Sequence, residues 1–277
     1  MHDLYPDVLV MTRLLKPLSL IARAIRGANA LMFRILDVVI TVGRDTEPLL
    51  LHYGGLSRDK IRFIPNWATL VPAVRVIKVD NPYRPRGARF VVGLSGNLGF
   101  THDPAIVFEA ARLLRNEDAV HFLLSGWGVG FERLKQLQSE TNLRNVTLIE
   151  RVADDKLEQL LSAANVWIIP YRRKVVGVSV PSRFYNLLAV GRPVILISEP
   201  DSEAALTITE KKIGWVVTPD CADELVDKIR VALLSSLRPM AERAVDAARD
   251  FSLGRAMADY AHLIGELLHG SKPERAH

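Results

Sequence analysis

One cysteine, Cys221, is all that the 277 residues contain, so no disulfide can form within the chain, and a reducing compartment fits. The seven histidines are scattered and no two stand at metal-ligand spacing, which argues against a structural zinc or a metalloprotease site. No apolar run reaches the length needed to cross a bilayer. Met1-His-Asp-Leu-Tyr-Pro6 has no basic start, apolar stretch or small-residue cleavage site, and is not expected to be a secretory signal. Aromatic residues make up only 7% and interleave with no basic run, so no nucleic-acid groove is expected. What remains is a globular composition, 49% hydrophobic and 24% charged, long enough for one large domain or two ordinary ones. The net charge of +5 favours anionic partners, and its sign alone does not choose between phosphate, nucleic acid and acidic lipid.

The first 80 residues read as one irregular unit. Thr12 to Arg34 has apolar residues at helical spacing, with Arg13, Lys16, Arg23, Arg26 and Arg34 between them. Pro17 and Gly27 are expected to break it into pieces. Such a basic amphipathic stretch suits peripheral contact with an anionic membrane, or an ordinary helix pair packing under the first domain. Asp37–Val42 and Ile61–Asn66 read as short strands, with a helix from Asp45 to Tyr53 between them. Residues 70–88, rich in proline and arginine, read as a linker.

From Arg89 the pattern is regular. Strand-like segments at Phe90–Ser95, Val120–Ser125, Val146–Ile149, Val166–Ile169, Val194–Ser198 and Trp215–Thr218 alternate with helical ones. The helical segments are Pro104–Leu114, Phe131–Thr141, Asp154–Ala164, Ser182–Val190, Glu203–Lys211 and Ala222–Leu234. Alternation of this kind predicts an α/β fold: a Rossmann-type parallel sheet covered on both faces. Ser252 is a plausible cap for a last helix reaching Leu268.

Three loops at strand ends carry the candidate chemistry. Ser95-Gly-Asn-Leu-Gly99 lies between a strand and a helix, where backbone amides can approach a phosphate; a turn that merely needs small residues fits equally. Ser125-Gly-Trp-Gly-Val-Gly130 suggests close backbone packing around something, a ligand among the options, with Trp127 a lid or a surface aromatic. The third is Gly177-Val-Ser-Val-Pro-Ser-Arg183, where Pro181-Ser182 opens a helix that Gly191 ends. Ser182, the amides of Ser182 and Arg183, and the cations Arg172, Arg173, Lys174 and Arg183 suit a diphosphate; a capped helix with solvated basic neighbours is the alternative. Glu203, after the next strand, either points into the site or serves as an ordinary first-turn carboxylate.

Four segments in order resemble bacterial GT-B glycosyltransferases of the family 4 type, especially those that build surface polysaccharides. They are Asp3-Leu-Tyr-Pro-Asp7, Ile61-Arg-Phe-Ile-Pro-Asn-Trp67, Ser95–Gly99 and Val180-Pro-Ser-Arg-Phe-Tyr-Asn-Leu-Leu-Ala-Val-Gly-Arg-Pro-Val194. The resemblance implies a nucleotide-diphosphate-sugar donor, a glycan or lipid-linked acceptor, and work in the cytoplasm or at the inner face of the cell membrane. It implies neither a cofactor nor a bound metal, and no nucleic-acid partner. It places Gly96, Asn97 and Gly99 near the donor phosphates and Arg151, Val152 and Ala153 near the base. Val180, Pro181, Ser182 and Arg183 fall near the sugar and diphosphate, and Asn186 near the ribose. No catalytic residue is assigned. Residues 81–250 would form the donor domain, and 251–268 a helix crossing back to the N-terminal part.

Departures from the family pattern are as informative. Asp-Leu-Tyr-Pro lies near the end of the family's N-terminal domain, but here it occupies positions 3 to 6. Residues 1–80 are therefore expected to be a partial acceptor domain, lacking the region that usually supplies a catalytic histidine. A late start, a partner that supplies the rest, or a remnant that binds donor without turnover would each account for it. The glutamate pair flanking the family's donor helix is matched by Val178 and Asn186. Phe100 stands where relatives often have arginine, a loss for which His102 is a candidate replacement. A nucleotide-sugar epimerase on the same fold would need acid/base groups that form no evident cluster here.

Overall fold

The computed structural model describes residues 4–270, so Asp3 of the first resemblance segment lies outside the described residues. The N-terminal part begins with a short helix, α1 (Asp7–Met11), followed by a longer one, α2 (Leu20–Ile35). Ser19 caps α2, its hydroxyl accepting from the amide of Ala22 at 3.2 Å. Residues 12–19, Pro17 among them, are not helical, so the helical pattern starts only at Leu20, and Gly27 does not break α2, contrary to expectation. One helical glycine costs about 1 kcal/mol, and the alanine, leucine and arginine around it outweigh that.

Two strands, β1 (Val39–Thr41) and β2 (Ile61–Phe63), pair in parallel around the helix α3 (Thr46–Leu51). Leu4, Phe33, Val39, Leu50, Tyr53 and Ile61 form their core, with Phe33 and Tyr53 edge to face at 5.5 Å.

The larger part is a six-stranded, wholly parallel sheet. Its strands are β3 (Phe90–Asn97), β4 (Val120–Trp127), β5 (Val146–Glu150), β6 (Val166–Pro170), β7 (Val194–Ile197) and β8 (Gly214–Val217), in the order β5-β4-β3-β6-β7-β8. The helices between them are α4 (Pro104–Leu113), α5 (Val129–Thr141), α6 (Leu157–Leu161), α7 (Ser182–Ala189) and α8 (Glu203–Lys211). The helix expected over Asp154–Ala164 is shorter, a 3-10 turn at Asp154–Lys156 leading into α6. Helix α9 (Ala222–Leu234) is followed by one that the sequence pattern did not reveal, α10 (Arg238–Asp250), and by α11 (Leu253–Gly270).

Each face of the sheet has its own core. Leu123, Trp167, Ile169 and Leu196 pack with α7, α8 and α10 on one side; Leu94, Phe122, Ile168 and Ile195 pack with α4, α5 and α9 on the other. Trp167 is fully buried and donates Nε1–H to the carbonyl of Leu161 at 3.0 Å. Its ring lies where a Cβ at Gly93 on the neighbouring strand would come within 2.5 Å, so β3 needs glycine there. Helix α11 packs Ala256 and Leu263 against Val38, Ile40 and Ile64 of the small sheet. The strand order reverses between β3 and β6, so their loops diverge and leave a crevice beyond the carboxyl ends of the strands.

Candidate donor-binding site

A cleft of about 660 Å3 opens at this crevice. Its floor is the loop after β3. Strand β3 runs two residues beyond its expected end because Gly96 pairs with Gly126 and Asn97 with Trp127 of β4. A Cβ at Gly126 would overlap the carbonyl oxygen of Gly96, so the strands meet backbone to backbone. Leu98 N–H donates to the Trp127 carbonyl at 2.8 Å, and Gly130 N–H to the Leu98 carbonyl at 2.9 Å. The glycines of the second loop therefore close on the first loop. The expectation of close packing around something is answered by Asn97–Leu98.

The back wall is the loop after β6 and the start of α7. A bridge between His102 and Tyr171 holds the two loops together, and Asp103 N–H donates to the Pro170 carbonyl at 2.8 Å. Pro181 occupies the N-cap of α7 and has no side chain able to accept, so the first turn of the helix, whose Ser182 and Arg183 line the cleft, has no side-chain cap. Such a terminus carries partial positive charge.

Arg183 is the cation of the cleft. Its Nη1 donates to Ser95 Oγ at 2.6 Å, and its guanidinium lies 5.7 Å from the ring centroid of Trp127. Arg151 also stacks on Trp127, at 4.8 Å. Burial, and then the neighbouring charge of Arg151, push the Arg183 pKa down to about 10, so the group is still charged at neutral pH. Its side chain makes no ion pair among the described residues. Trp127 is thus not a free surface aromatic: it lines the cleft, and its ring carries the guanidiniums of Arg183 and Arg151.

Of the residues expected at the site, Gly96, Asn97, Gly99, His102, Val180, Pro181, Ser182 and Arg183 line the cleft together. Arg151, Val152, Ala153 and Asn186 do not. Asn186 is occupied elsewhere: its Oδ1 accepts from the amides of Thr69 at 2.8 Å and Leu70 at 3.2 Å, and its Nδ2 donates to Thr69 Oγ1 at 3.0 Å. It clips the segment after β2 onto α7. Arg172, Arg173 and Lys174 line a neighbouring groove instead, where Arg173 pairs with Asp220 and Arg172 Nε donates to the His102 carbonyl.

His102 does not replace the missing arginine as a charge. Burial, and after it Arg183 and Arg172, push its pKa down to about 4, so the ring is neutral at neutral pH. It can donate or accept a hydrogen bond, and its Nδ1 lies 3.0 Å from Thr101 Oγ1. Glu203, buried, turns away to Arg44. The residues that sequence reasoning missed come from the N-terminal part: Tyr5, Val8, Leu9 and Asn66 also line the cleft. Tyr5 and Asn66 sit in two of the resemblance segments, which was the available signal.

Over residues 78–251 the chain matches the family Glycosyl transferases group 1, and it belongs to that family. It is 26% identical over 278 residues to the probable glycosyltransferase WbjE of Pseudomonas aeruginosa, covering 98% of this chain and 68% of that protein. It is 29% identical over 221 residues to the putative colanic acid biosynthesis glycosyl transferase WcaI of Escherichia coli K12, covering 76% of this chain and 54% of that one. The solved Anabaena protein HepE in complex with UDP-glucose superposes with a TM-score of 0.68 at 18% identity, over 88% of this chain and 68% of that one. The chain thus spans about half to two thirds of the length of these proteins, and its fold is the α/β parallel-sheet fold of GT-B glycosyltransferases.

Proposed function

We propose that this chain carries the donor site of a glycosyltransferase that moves a sugar from a nucleoside-diphosphate sugar to a glycan or lipid-linked acceptor in surface-polysaccharide synthesis. The observation that carries this reading is the uncapped start of α7 with Arg183 beside it, facing the crevice at the strand-order reversal. No carboxylate lines the cleft among the described residues, so a diphosphate would meet no like charge on the cleft wall. In the transfer step the bond from the sugar's anomeric carbon to the diphosphate breaks with oxocarbenium character. The helix terminus and Arg183 stabilise the charge that collects on the leaving oxygen. Gly96, Asn97 and Gly99 would cradle the phosphates, Val180–Arg183 the sugar and diphosphate, and the Trp127–Arg151 side the base. The relatives support the class: HepE is solved with UDP-glucose, and WcaI is described for colanic acid biosynthesis. An epimerase draws no comparable support, because His102 is the lone imidazole or carboxyl lining the cleft among the described residues.

Isothermal calorimetry with UDP and with GDP tests the donor site. One of them is expected to bind in the micromolar range, and no heat at millimolar ligand would overturn the reading. A second reading, binding without turnover, is eliminated by measurable sugar transfer by the purified chain.

The acceptor side of the proposal includes an anionic membrane. Among the described residues no helix is long and apolar enough to cross one. Helix α2 instead presents an outward stripe of Leu20, Ile21, Leu31 and Ile35, which are 81%, 63%, 63% and 76% exposed. Five basic residues and no acidic one fall between Asp7 and Asp37. A stripe of this kind suits the headgroup region of an acidic bilayer. We expect the chain to float with vesicles containing phosphatidylglycerol and not with pure phosphatidylcholine, and Leu31→Asp to abolish flotation. Equal behaviour with both lipids would refute the contact.

A further inference from the structure

The loop that leads into α7 is held from the other side of the molecule. Asp45, just before α3, accepts on one carboxylate oxygen, Oδ2, from the amide of Gly177 at 3.0 Å and from the amide of Glu203 at 3.0 Å. The first of these residues opens the donor loop and the second opens α8. Arg44 reinforces the contact. Its amide and its Nε both donate to Glu203 Oε2, at 2.8 and 2.9 Å, and its Nη1 donates to Glu210 Oε1 at 2.9 Å. The ion pair is half shielded, with Glu203 buried, and its carboxylate also accepts from Thr207 Oγ1 at 3.1 Å.

The backbones are shaped for this contact. Gly177 has φ of +74°, and a Cβ there would come within 2.6 Å of the Asp45 carbonyl oxygen. A Cβ at Gly43 would overlap the Asp45 carboxylate and come within 2.8 Å of Val180 Cγ2. The turn at residues 43–45 is therefore pressed against the segment that ends at Pro181, which lies in the cleft wall with Val180 and Ser182. The other carboxylate oxygen of Asp45 is buried without a partner, and burial pushes the group's pKa up. Burying a carboxylate is unfavourable, so this one is held in place by the two amides and the surrounding packing.

We propose that Asp45, supported by Arg44, is a positioning residue: it fixes the loop 177–181 from the N-terminal part and so aims the amides of α7 at the donor diphosphate. The inference rests on the donor-site reading given above. It makes the N-terminal part a working element of donor binding as well as the acceptor side. With Asp45 in place, the donor loop is already set before the nucleotide arrives. Without it, part of the binding free energy goes into ordering the loop.

Two measurements on Asp45→Ala in the full chain test this. Amide hydrogen exchange is expected to accelerate at Gly177 through Val180 while the strands of the large sheet keep their protection. UDP or GDP affinity is expected to fall about tenfold, the weight of a hydrogen-bonded charged group. Asp45→Asn, which keeps one acceptor oxygen and the side-chain shape, should restore most of both. If the alanine variant does not fold, Arg44→Ala, which leaves Asp45 and its two amide bonds in place, gives the same two readouts at smaller amplitude. A folded variant with faster exchange but unchanged affinity overturns the positioning role, and so does a lower melting temperature alone. If the unaltered chain binds neither nucleotide, the donor-site reading fails instead, and the exchange result alone still decides whether Asp45 holds the loop.

Discussion

Arg183→Ala will weaken binding of the cognate nucleoside diphosphate by roughly 100-fold, within the range for a lost hydrogen-bonded ion contact of about 1.5–3 kcal/mol. The side chain is already in place before ligand arrives. Ser95 Oγ takes one of its N–H groups, and Trp127 supports the guanidinium at 5.7 Å. Its pKa is pushed down to about 10 by burial and by Arg151, so the charged form costs free energy in the folded, empty protein. The sign follows from linkage: a cation whose pKa is lower folded than unfolded destabilises the fold at every pH where it is charged. Removing it should leave the melting temperature unchanged or slightly higher while binding collapses. That opposite movement separates a ligand-binding role from a structural one. Arg183→Lys should recover part of the affinity, since it restores the charge without the planar fork. Unchanged affinity in the alanine variant would refute the diphosphate role.

Trp167→Ala will cost about 3–5 kcal/mol of stability, the range for removing a large aromatic from a core. Trp167 is fully buried on β6, packed across Gly93 of β3, and its indole N–H satisfies the carbonyl of Leu161. The substitution leaves a cavity and an unpaired buried carbonyl together. The two strands it packs across, β3 and β6, flank the crevice, so nucleotide binding should fall with stability. Chemical denaturation followed by fluorescence and circular dichroism checks this. A loss below about 1 kcal/mol would mean that the sheet re-closes around the gap. Trp167→Phe, which keeps most of the volume and drops only the hydrogen bond, should lose far less.

The sheet was legible in the sequence because strands buried on both faces are continuous apolar runs such as Val166-Trp-Ile-Ile169. Their ends were not. Strands β3 and β4 run on through Ser-Gly-Asn and Ser-Gly-Trp, since two glycine backbones can pair more closely than strand patterns anticipate. Helix α10 escaped notice because its buried face is Ala241, Ala244, Ala247 and Ala248, with Val245, and small residues make no apolar stripe. At the site, the loops that bear Gly96 and Arg183 could be read locally from strand-turn-helix grammar. The contact from Asn186 to Thr69 spans 117 residues, and that from Asp45 to Gly177 spans 132. Nothing in the local sequence at either end encodes the pairing. The same holds for His102, whose neutrality comes from burial and two arginines from elsewhere in the chain.

The floor of the cleft is made of peptide groups from two glycine-bearing loops locked against each other. A surface built from main chain is the same whatever side chains the gene encodes around it. On the donor-site reading proposed above, natural variation can retune which base or sugar is accepted at the Trp127–Arg151 side, at Val180 or at His102 without disturbing the main-chain floor beneath. Selectivity and anchorage are separately heritable in this architecture.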